Sequence, residues 1–422
     1  MIKISRDKRY LIEENGEPFF WLGDTAWELI HRCSKEEIMS YLDDRKSKGF
    51  NVIQTVVLAE QDGINTPNVY GEKPLLHNKP ESINEAYFEL VDFVLDQAAV
   101  REMIVGLLPT WGDKVSLLSW GIGPVIFTPG NAHVYGRILG RRYKERDNLV
   151  WIIGGDRIPE TPDQRVIFEA MASGIRSEDS RHLMTFHPLG SQIASDHFDS
   201  DWLDLDMCQS GHNRSTKEYE YIEHSRKARK IRPVINGEAR YENIGNAFKD
   251  TGQWLDDYDV RVSAWWTMLA GAAGYTYGCN DVWQMYETGR RPVINARTDW
   301  QEALHLPGSR QMGYMKNFFC GIPWQKLERD QNCILNDNPH DESYQICARL
   351  KDGSLIVIYT PLGGPIRVDL SKMKTNIIHC RWFNPRSGRT LYIGERTKDD
   401  RGEFIPWAKG RGSDFVLILR NK

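Results

Sequence analysis

Short apolar runs alternate with amphipathic segments over the first two thirds of the chain. Leu149–Asp156 and Pro233–Glu238 are apolar runs of strand length that stop at glycine and then present one carboxylate. Such runs are typical of strands buried on both faces, as in a parallel sheet covered by helices. Between the runs, apolar residues recur at helical spacing. From Asn84 to Glu102 they form one stripe, made of Phe88, Val91, Val94, Leu95 and Ala98.

The alternation predicts eight strands with helices between most of them. The predicted strands are Phe19–Asp24, Asn51–Leu58, Ile104–Pro109, Leu149–Asp156, His182–His187, Leu203–Cys208, Pro233–Glu238 and Gly274–Tyr277. Eight strands in this order fit an α/β fold of the (β/α)8 TIM barrel type. A doubly wound open sheet is the alternative, but no G-x-G-x-x-G motif follows the first strand.

The pattern changes beyond about residue 315, where short strands and tight turns replace the alternation. The predicted strands there are Tyr344–Leu350, Ser354–Tyr359, Ile366–Leu370, Ile377–Phe383 and Asp414–Leu419. Lys351–Ser354 and Pro385–Gly388 have the composition of hairpin turns. We therefore predict a catalytic barrel over residues 1–315 and an all-β sandwich domain over residues 316–422. Residues 2–17 are expected to pair with that domain or to cap the barrel.

Charge and cysteine content narrow the classes of partner. The chain has 422 residues, with 54 basic and 58 acidic side chains and a formal net charge of −4. This balance gives no electrostatic argument for nucleic acid or an anionic membrane. The N-terminus has no apolar signal region, so we expect a cytoplasmic protein. Seven scattered cysteines with no C-x-x-C pair argue against a disulfide framework or a zinc site.

Asp156 and Glu238 are the candidate catalytic residues. Each ends a predicted barrel strand, the fourth and the seventh, where (β/α)8 barrels keep their chemistry. Two acids that face each other across a pocket are what glycoside hydrolysis needs. Each residue also has a structural interpretation. Asp156 could cap the following helix, and Glu238 could form an ion pair with Arg240.

Polar or aromatic residues follow the other strands as well, which predicts a site for a hydroxyl-rich ligand. The candidate substrate-binding residues are Asp24, Trp27, Gln61, Trp111, Asp113, His187, Gln209, His212, Tyr277, Asp281 and Trp283. Glu60 and Asp62 also follow the second strand. For any one of these residues, turn formation or helix capping is the alternative role.

Metal and cofactor sites are not predicted. Asp199, Asp201, Asp204 and Asp206 lack the spacing of a calcium loop, and a solvated turn before the sixth strand is the expected structure. The phosphate-binding loop, H-E-x-x-H and G-x-S-x-G are absent from the sequence. We therefore expect a carbohydrate substrate and no metal or organic cofactor.

Four segments together resemble a known enzyme family. They are Phe19–Trp27, Trp151–Asp156, Gln209–His212 and Pro233–Glu242, and they resemble glycoside hydrolase family 140, the apiosidases. The resemblance covers nearly the whole chain, including the β domain, which in such proteins is often labelled collagen-binding. It implies a (β/α)8 barrel that hydrolyses β-linked apiose, the branched pentose of pectin side chains and some plant glycosides. It also implies that Asp156 is the acid/base and Glu238 the nucleophile.

The sequence differs from many family members in having no secretion signal, which favours a short oligosaccharide or a glycosylated small molecule as substrate. The mechanism we expect is retaining double displacement, with the two carboxyl groups about 5–5.5 Å apart. Two alternatives stay open: a glycosidase for another plant sugar, and a non-catalytic carbohydrate-binding protein on a barrel scaffold.

Overall fold

In the computed structural model, which describes residues 1–422, eight parallel strands form a barrel. They are β1 (Trp21–Thr25), β2 (Val52–Leu58), β3 (Ile104–Thr110), β4 (Leu149–Gly154), β5 (Met184–His187), β6 (Asp206–Gln209), β7 (Val234–Glu238) and β8 (Gly274–Tyr277). The strand order is β5-β4-β3-β2-β1-β8-β7-β6. The Asp204 N–H donates to the Met184 carbonyl at 2.9 Å, which joins the two ends of the sheet. The predicted barrel is confirmed.

Seven helices of nine or more residues surround the barrel. They are α1 (Lys35–Ser47), α2 (Glu85–Val100), α3 (Pro129–Tyr143), α4 (Pro162–Glu178), α5 (Glu218–Arg226), α6 (Asp257–Leu269) and α7 (Pro307–Cys320). Between β5 and β6 there is only a 3₁₀ turn, Ala194–Asp196, preceded by the two-residue strand Gln192–Ile193. Short helices lie at Leu29–Arg32, Asn280–Trp283 and Trp300–Ala303. None of the helices has the length and apolar character needed to cross a bilayer.

Polar side chains inside the barrel tie four strands together below its carboxyl end. Gln54 on β2 donates to the Gly237 carbonyl on β7 at 2.8 Å, and Thr276 on β8 donates to Gln54 Oε1 at 3.2 Å. The Trp21 indole on β1 donates to the Thr276 hydroxyl at 3.1 Å. These buried groups satisfy each other's hydrogen-bonding capacity, and the bond to Gly237 holds the backbone at the end of β7 in place.

The first residues cap the amino end of the barrel. Lys3–Ile4, Leu11–Ile12 and Pro18–Phe19 form a small antiparallel sheet. Its apolar residues pack against side chains from the first residues of the barrel strands, in a cluster that includes Ile2, Leu11, Phe19, Val52, Ile104, Val150, Leu205 and Ile235. Of the two expectations for this segment, the cap is the one observed.

The C-terminal region is an antiparallel six-stranded sheet with a small second layer. Its strands are β9 (Leu327–Arg329), β10 (Ile346–Leu350), β11 (Leu355–Thr360), β12 (Ile378–Asn384), β13 (Arg389–Arg396) and β14 (Phe415–Asn421). The second layer pairs Ile366–Arg367 with Glu403–Phe404. The predicted all-β domain is confirmed. β13 was missed because it is an edge strand, largely exposed, without an apolar run.

One face of this sheet packs on the barrel. Trp265 of α6 stacks on Tyr359 with ring centroids 5.7 Å apart, and Arg261 binds the buried Asp414 carboxylate at 2.9 Å. Phe318 of α7 packs on Phe383 at 4.9 Å. The helix α7 runs across the predicted domain boundary between residues 315 and 316.

Candidate active site

Glu238 is the last residue of β7, and the barrel core holds it in place. The preceding residue, Gly237, packs against Met207 of β6, and an added Cβ atom would lie 2.4 Å from the Met207 sulfur. A larger residue at this position would have to push the Met207 side chain aside. Arg240, the alternative partner of Glu238, is bound instead by the buried Glu218 carboxylate at 2.7 and 2.9 Å. Glu238 therefore stays available for other contacts.

Two histidines surround the Glu238 carboxylate. His212 Nε2 lies 3.0 Å from Oε1 in a hydrogen bond, and His187 Nε2 lies 2.9 Å from Oε2, although the angle of the second contact departs from that of a good hydrogen bond. Burial alone would raise the pKa of Glu238, but the two histidines outweigh it and lower that pKa to about 2. Glu238 is therefore ionised at neutral pH.

His187, at the end of β5, connects the two candidate acids. The backbone N–H of Asp156 donates to His187 Nδ1 at 3.2 Å. Because an N–H group can only donate, Nδ1 accepts, and we infer that the neutral ring carries its proton on Nε2, the atom that faces Glu238. The backbone of Asp156 and the carboxylate of Glu238 thus contact the two ring nitrogens of His187.

Asp156 follows β4 in an unusual backbone conformation. Gly154, Gly155 and Asp156 have φ angles of +97°, +106° and +55°. A Cβ atom at Gly154 would lie 2.5 Å from the His187 carbonyl oxygen, so both sterics and φ require glycine there. Asp156 does not cap the next helix, because Thr161 does so with a capping box. The tight turn serves to present the Asp156 side chain.

The surroundings of the Asp156 carboxyl group differ from those of Glu238. Burial is the main cause that raises the pKa of Asp156, followed by the negative charge of Glu238. The Trp120 indole opposes these effects by donating to Oδ2 at 2.8 Å. Arg157 lies 3.6 Å from the same oxygen but is occupied by backbone carbonyls, among them that of Asp156 at 2.7 Å. The net effect is a raised pKa for Asp156.

Aromatic rings form the wall beside the carboxyl groups. Trp27 lies 5.2 Å from Trp111 and 5.3 Å from His187, centroid to centroid. Its indole donates to the Tyr241 hydroxyl at 3.0 Å. Burial and the neighbouring Glu238 charge raise the pKa of Tyr241 well above its usual range. Trp283 belongs to the same apolar cluster, and its indole donates to Asn280 at 3.1 Å.

Several buried polar atoms at this end of the barrel make no well-aligned hydrogen bond within the protein. Among them are Trp111 Nε1, His187 Nε2, Gln209 Oε1, His212 Nδ1 and Glu238 Oε2. Buried polar groups are nearly always paired in folded proteins, and exceptions concentrate where a ligand supplies the partner. Donors and acceptors next to aromatic faces suit the hydroxyl groups and apolar faces of a sugar.

Two predicted binding residues point out of the barrel. The Asp24 carboxylate accepts from Tyr41 at 2.6 Å and from Arg45 at 2.5 Å, beneath α1. The Tyr277 hydroxyl donates to Glu242 at 2.6 Å, and Glu242 also accepts from the Gly308 N–H at the start of α7. The structure therefore does not bring Asp24 and Tyr277 to the carboxyl pair.

Three other predicted residues hold loops in place. Asp113 forms an ion pair with Lys114 at 2.7 Å and accepts from two backbone N–H groups of the loop that carries Trp120. Asp281 accepts from Asn243 at 2.6 Å and from the backbone of Arg297 and Thr298. The backbone of Gln61 donates to the buried Glu28, and no contact links its side chain to the pair.

Three residues that are not among the predicted catalytic or substrate-binding residues belong to the site. Trp120 and Tyr241 contact the site as described above. Glu60, after β2, is mostly buried, and this burial together with the charges of Asp156 and Asp113 raises its pKa to about 8. The strand-end position of Glu60 was visible in the sequence, whereas nothing in the sequence marks the irregular loop of Trp120 as part of the site.

The structure contains no group of three or more His, Cys, Asp or Glu side chains arranged to hold a metal ion. Among the four aspartates before the sixth strand, Asp204 forms an ion pair with Arg176. Asp206 accepts from Ser195 at 2.7 Å and also from Ser225. The chemistry available at this end of the barrel is that of two carboxyl groups, one with a lowered pKa (Glu238) and one with a raised pKa (Asp156).

Comparison with known proteins agrees with this chemistry. Residues 5–326 match the family model "Apiosidase-like, catalytic domain", and residues 329–420 match "Putative collagen-binding domain of a collagenase". None of the curated proteins compared with the chain matches it. The catalytic match includes both candidate carboxylates.

Solved structures extend the likeness to the whole chain. One, described as a glycoside hydrolase, is 31% identical with a TM-score of 0.91, covering 100% of this chain and 97% of its own. Another, described as a family 5 glycoside hydrolase from Bacteroides vulgatus, is 30% identical with a TM-score of 0.91, covering 100% and 93%. A further Bacteroides vulgatus structure, 13% identical with a TM-score of 0.71, shares the fold. Because the catalytic model spans most of the chain, this protein belongs to the apiosidase-like family and is a glycoside hydrolase.

Proposed function

We propose that this protein is a β-apiosidase that hydrolyses β-linked apiose from plant-derived glycans or glycosides with retention of configuration. The observation that carries the proposal is the contrast between the surroundings of the Glu238 and Asp156 carboxyl groups at the carboxyl end of the barrel. Two histidines lower the pKa of Glu238, whereas burial and the Glu238 charge raise that of Asp156. Retaining glycosidases need one ionised and one protonated carboxyl group.

In the first step, Asp156 donates its proton to the glycosidic oxygen. As the bond between that oxygen and the anomeric carbon breaks, a Glu238 oxygen bonds to the carbon, and the leaving group departs as an alcohol. His187 and His212 hold the Glu238 carboxylate ionised and oriented for this attack. The product of the step is a glycosyl ester on Glu238.

In the second step, Asp156 acts as a base. It takes a proton from water, the water oxygen attacks the anomeric carbon, and the ester bond to Glu238 breaks. Loss of the Glu238 negative charge in the ester removes one cause of the raised Asp156 pKa. That pKa therefore falls, so Asp156 stays ionised after it has given up its proton and can act as the base. The cycle ends with Asp156 protonated and Glu238 ionised.

The sugar preference follows from the family and is tested by a panel of substrates. Purified protein is incubated with an aryl β-apioside and with matched aryl glycosides of other plant sugars, and the released phenol is measured. The proposal predicts that the apioside gives the highest kcat/KM. Preference for another sugar would support a glycosidase but reject the apiosidase assignment. No turnover of any substrate in the panel would favour a carbohydrate-binding protein.

The stereochemical part is tested on the best substrate of that panel. Proton NMR during the first minutes of hydrolysis distinguishes the anomers before they equilibrate. Retention predicts that the β anomer of the product appears first. Initial appearance of the α anomer would reject double displacement and the nucleophilic role of Glu238.

A further inference from the structure

The loop between β3 and α3 exposes a group of apolar side chains beside the candidate acid. Leu117, Trp120, Ile122 and Val125 are 50%, 43%, 53% and 48% exposed. Residues 115–128 contain no charged side chain, in a protein of which 27% of the residues are charged. Single exposed apolar residues are common on protein surfaces, but four within nine positions form a patch that calls for an explanation.

The backbone of this loop is held firmly, so the exposure is a feature of the folded loop. Asp113 accepts from the Ile122 N–H at 3.1 Å and from the Gly123 N–H at 2.8 Å. Arg157 donates to the carbonyl groups of Ser116 and Trp120 at 3.0 and 2.8 Å. Two buried charged residues therefore fix the loop in a conformation that presents its apolar side chains to solvent.

The contact of Trp120 places the loop next to the candidate acid. The Trp120 indole donates to Asp156 Oδ2 at 2.8 Å, so the middle of the loop touches the candidate acid. An acid that protonates the glycosidic oxygen lies next to the leaving group, because that oxygen leaves with it. The uncharged loop therefore borders the space that the leaving group occupies.

We propose that the 115–128 loop binds the leaving group of the substrate and that this group is an uncharged, apolar alcohol or phenol. The proposal rests on the role of Asp156 in the proposed function. Covering part of Leu117, Trp120 and Ile122 with an apolar leaving group removes nonpolar surface from water, which strengthens binding. The loop has no basic side chain that could pair with the carboxylate of an acidic sugar chain in the same place.

The first test compares two glycosides of the same sugar whose leaving groups have equal pKa values, one apolar and one bearing several hydroxyl groups. The wild type is expected to favour the apolar substrate by about tenfold in kcat/KM. The double variant Leu117→Ser, Ile122→Ser is expected to lose most of that preference. Val166→Ser, at a residue 49% exposed on the outer helix α4, is the matched control and should retain it.

Equal kcat/KM values in the wild type would overturn the proposal, and so would a preference that the double variant keeps. Thermal unfolding of the variants checks their folding. A double variant that unfolds early is replaced by the single variants Leu117→Ser and Ile122→Ser, each of which should lose part of the preference.

The second test needs no turnover, so it separates this proposal from the proposed function. Binding of 2-naphthol is measured by quenching of tryptophan fluorescence, and we expect binding that the double variant weakens several-fold and Val166→Ser does not. If naphthol binds in this way but no glycoside is turned over, the proposed function is rejected and the leaving-group proposal is not. Turnover of apiosides without naphthol binding would reject the leaving-group proposal alone. Self-association that the double variant abolishes would also reject it, because the patch would then be a contact between copies.

Discussion

The carboxyl end of β7 and the carboxyl end of β4 present the same functional group in opposite surroundings. Glu238 keeps 7% of its side-chain surface exposed and has two histidine ring nitrogens within 3.0 Å. Asp156 keeps 19% exposed and has one neutral indole donor at hydrogen-bonding distance. Burial raises the pKa of both groups. The two histidines beside Glu238 reverse that shift, whereas the single indole beside Asp156 does not. The comparison supports the proposed roles, with the nucleophile on β7 and the proton donor after β4.

The largest expected effect comes from removing the ionised member of the pair. Glu238→Ala should lower kcat by at least about 10⁴-fold, because no other carboxylate is placed to form the glycosyl ester. Initial rates on an aryl glycoside measure this loss. Glu89→Ala, an exposed position on α2, is the control and should retain full activity. Glu238→Ala with more than a tenth of the wild-type rate would remove Glu238 from the nucleophile role.

A smaller effect is expected from weakening the histidine cluster. His212→Ala removes one of the two groups that lower the pKa of Glu238, so that pKa rises from about 2. Because Glu238 must be ionised to attack, the acidic limb of the kcat/KM profile should move to higher pH. His305→Ala, at an exposed histidine, is the control. An acidic limb that stays in place would mean that His212 does not set the ionisation of Glu238.

Trp120→Phe tests the other side of the comparison. The indole donates to the ionised form of Asp156, so its loss raises the pKa of Asp156 further. The acid then stays protonated to higher pH, and the basic limb of the profile should move up while the acidic limb stays. Trp407→Phe, an exposed residue of the C-terminal domain, should move neither limb. A downward shift of the basic limb would contradict the role of Trp120.

The smallest effect concerns Glu60 and is expected in stability. Its pKa is raised from 4.5 to about 8, so between these values the folded protein binds a proton that the unfolded chain releases. That contribution is fully present below pH 4.5 and is lost as the pH rises through 8. Glu60→Gln should therefore raise the melting temperature, relative to wild type, more at about pH 9 than at about pH 5. An equal difference at both pH values would contradict the raised pKa.

The fold and the carboxyl pair could be predicted from the sequence because both depend on local patterns. The alternation of apolar runs and amphipathic segments fixed the order of the eight strands, and each run ended at its carboxylate. The same patterns could not tell which face of a doubly buried strand points inward. Asp24 was therefore predicted to bind substrate. In the structure, the hydrogen bond from Trp21 to Thr276 shows that the odd-numbered side chains of β1 face the barrel interior, so Asp24 faces the helices.

The remaining differences come from loops. The contact of Trp120 with Asp156 depends on Asp113 and Arg157, which anchor an irregular loop from outside its own sequence. No periodicity in the sequence predicts such an arrangement. Asp113 was predicted to bind substrate, but its hydrogen bonds hold that loop in place. Glu60 was visible at a strand end, but its pKa depends on the charges of Asp113 and Asp156, which only the folded barrel brings near it.

Trapping the glycosyl-enzyme tests the central assignment most directly. In Asp156→Ala, a glycoside with a highly activated leaving group can still form the ester, because such a group needs no proton, whereas water lacks a base for the second step. Intact-protein mass spectrometry should show one added glycosyl group per chain, and peptide mapping should place it on Glu238. A label on another residue, or no label while the variant releases the leaving group in one burst per chain, would contradict the assignment.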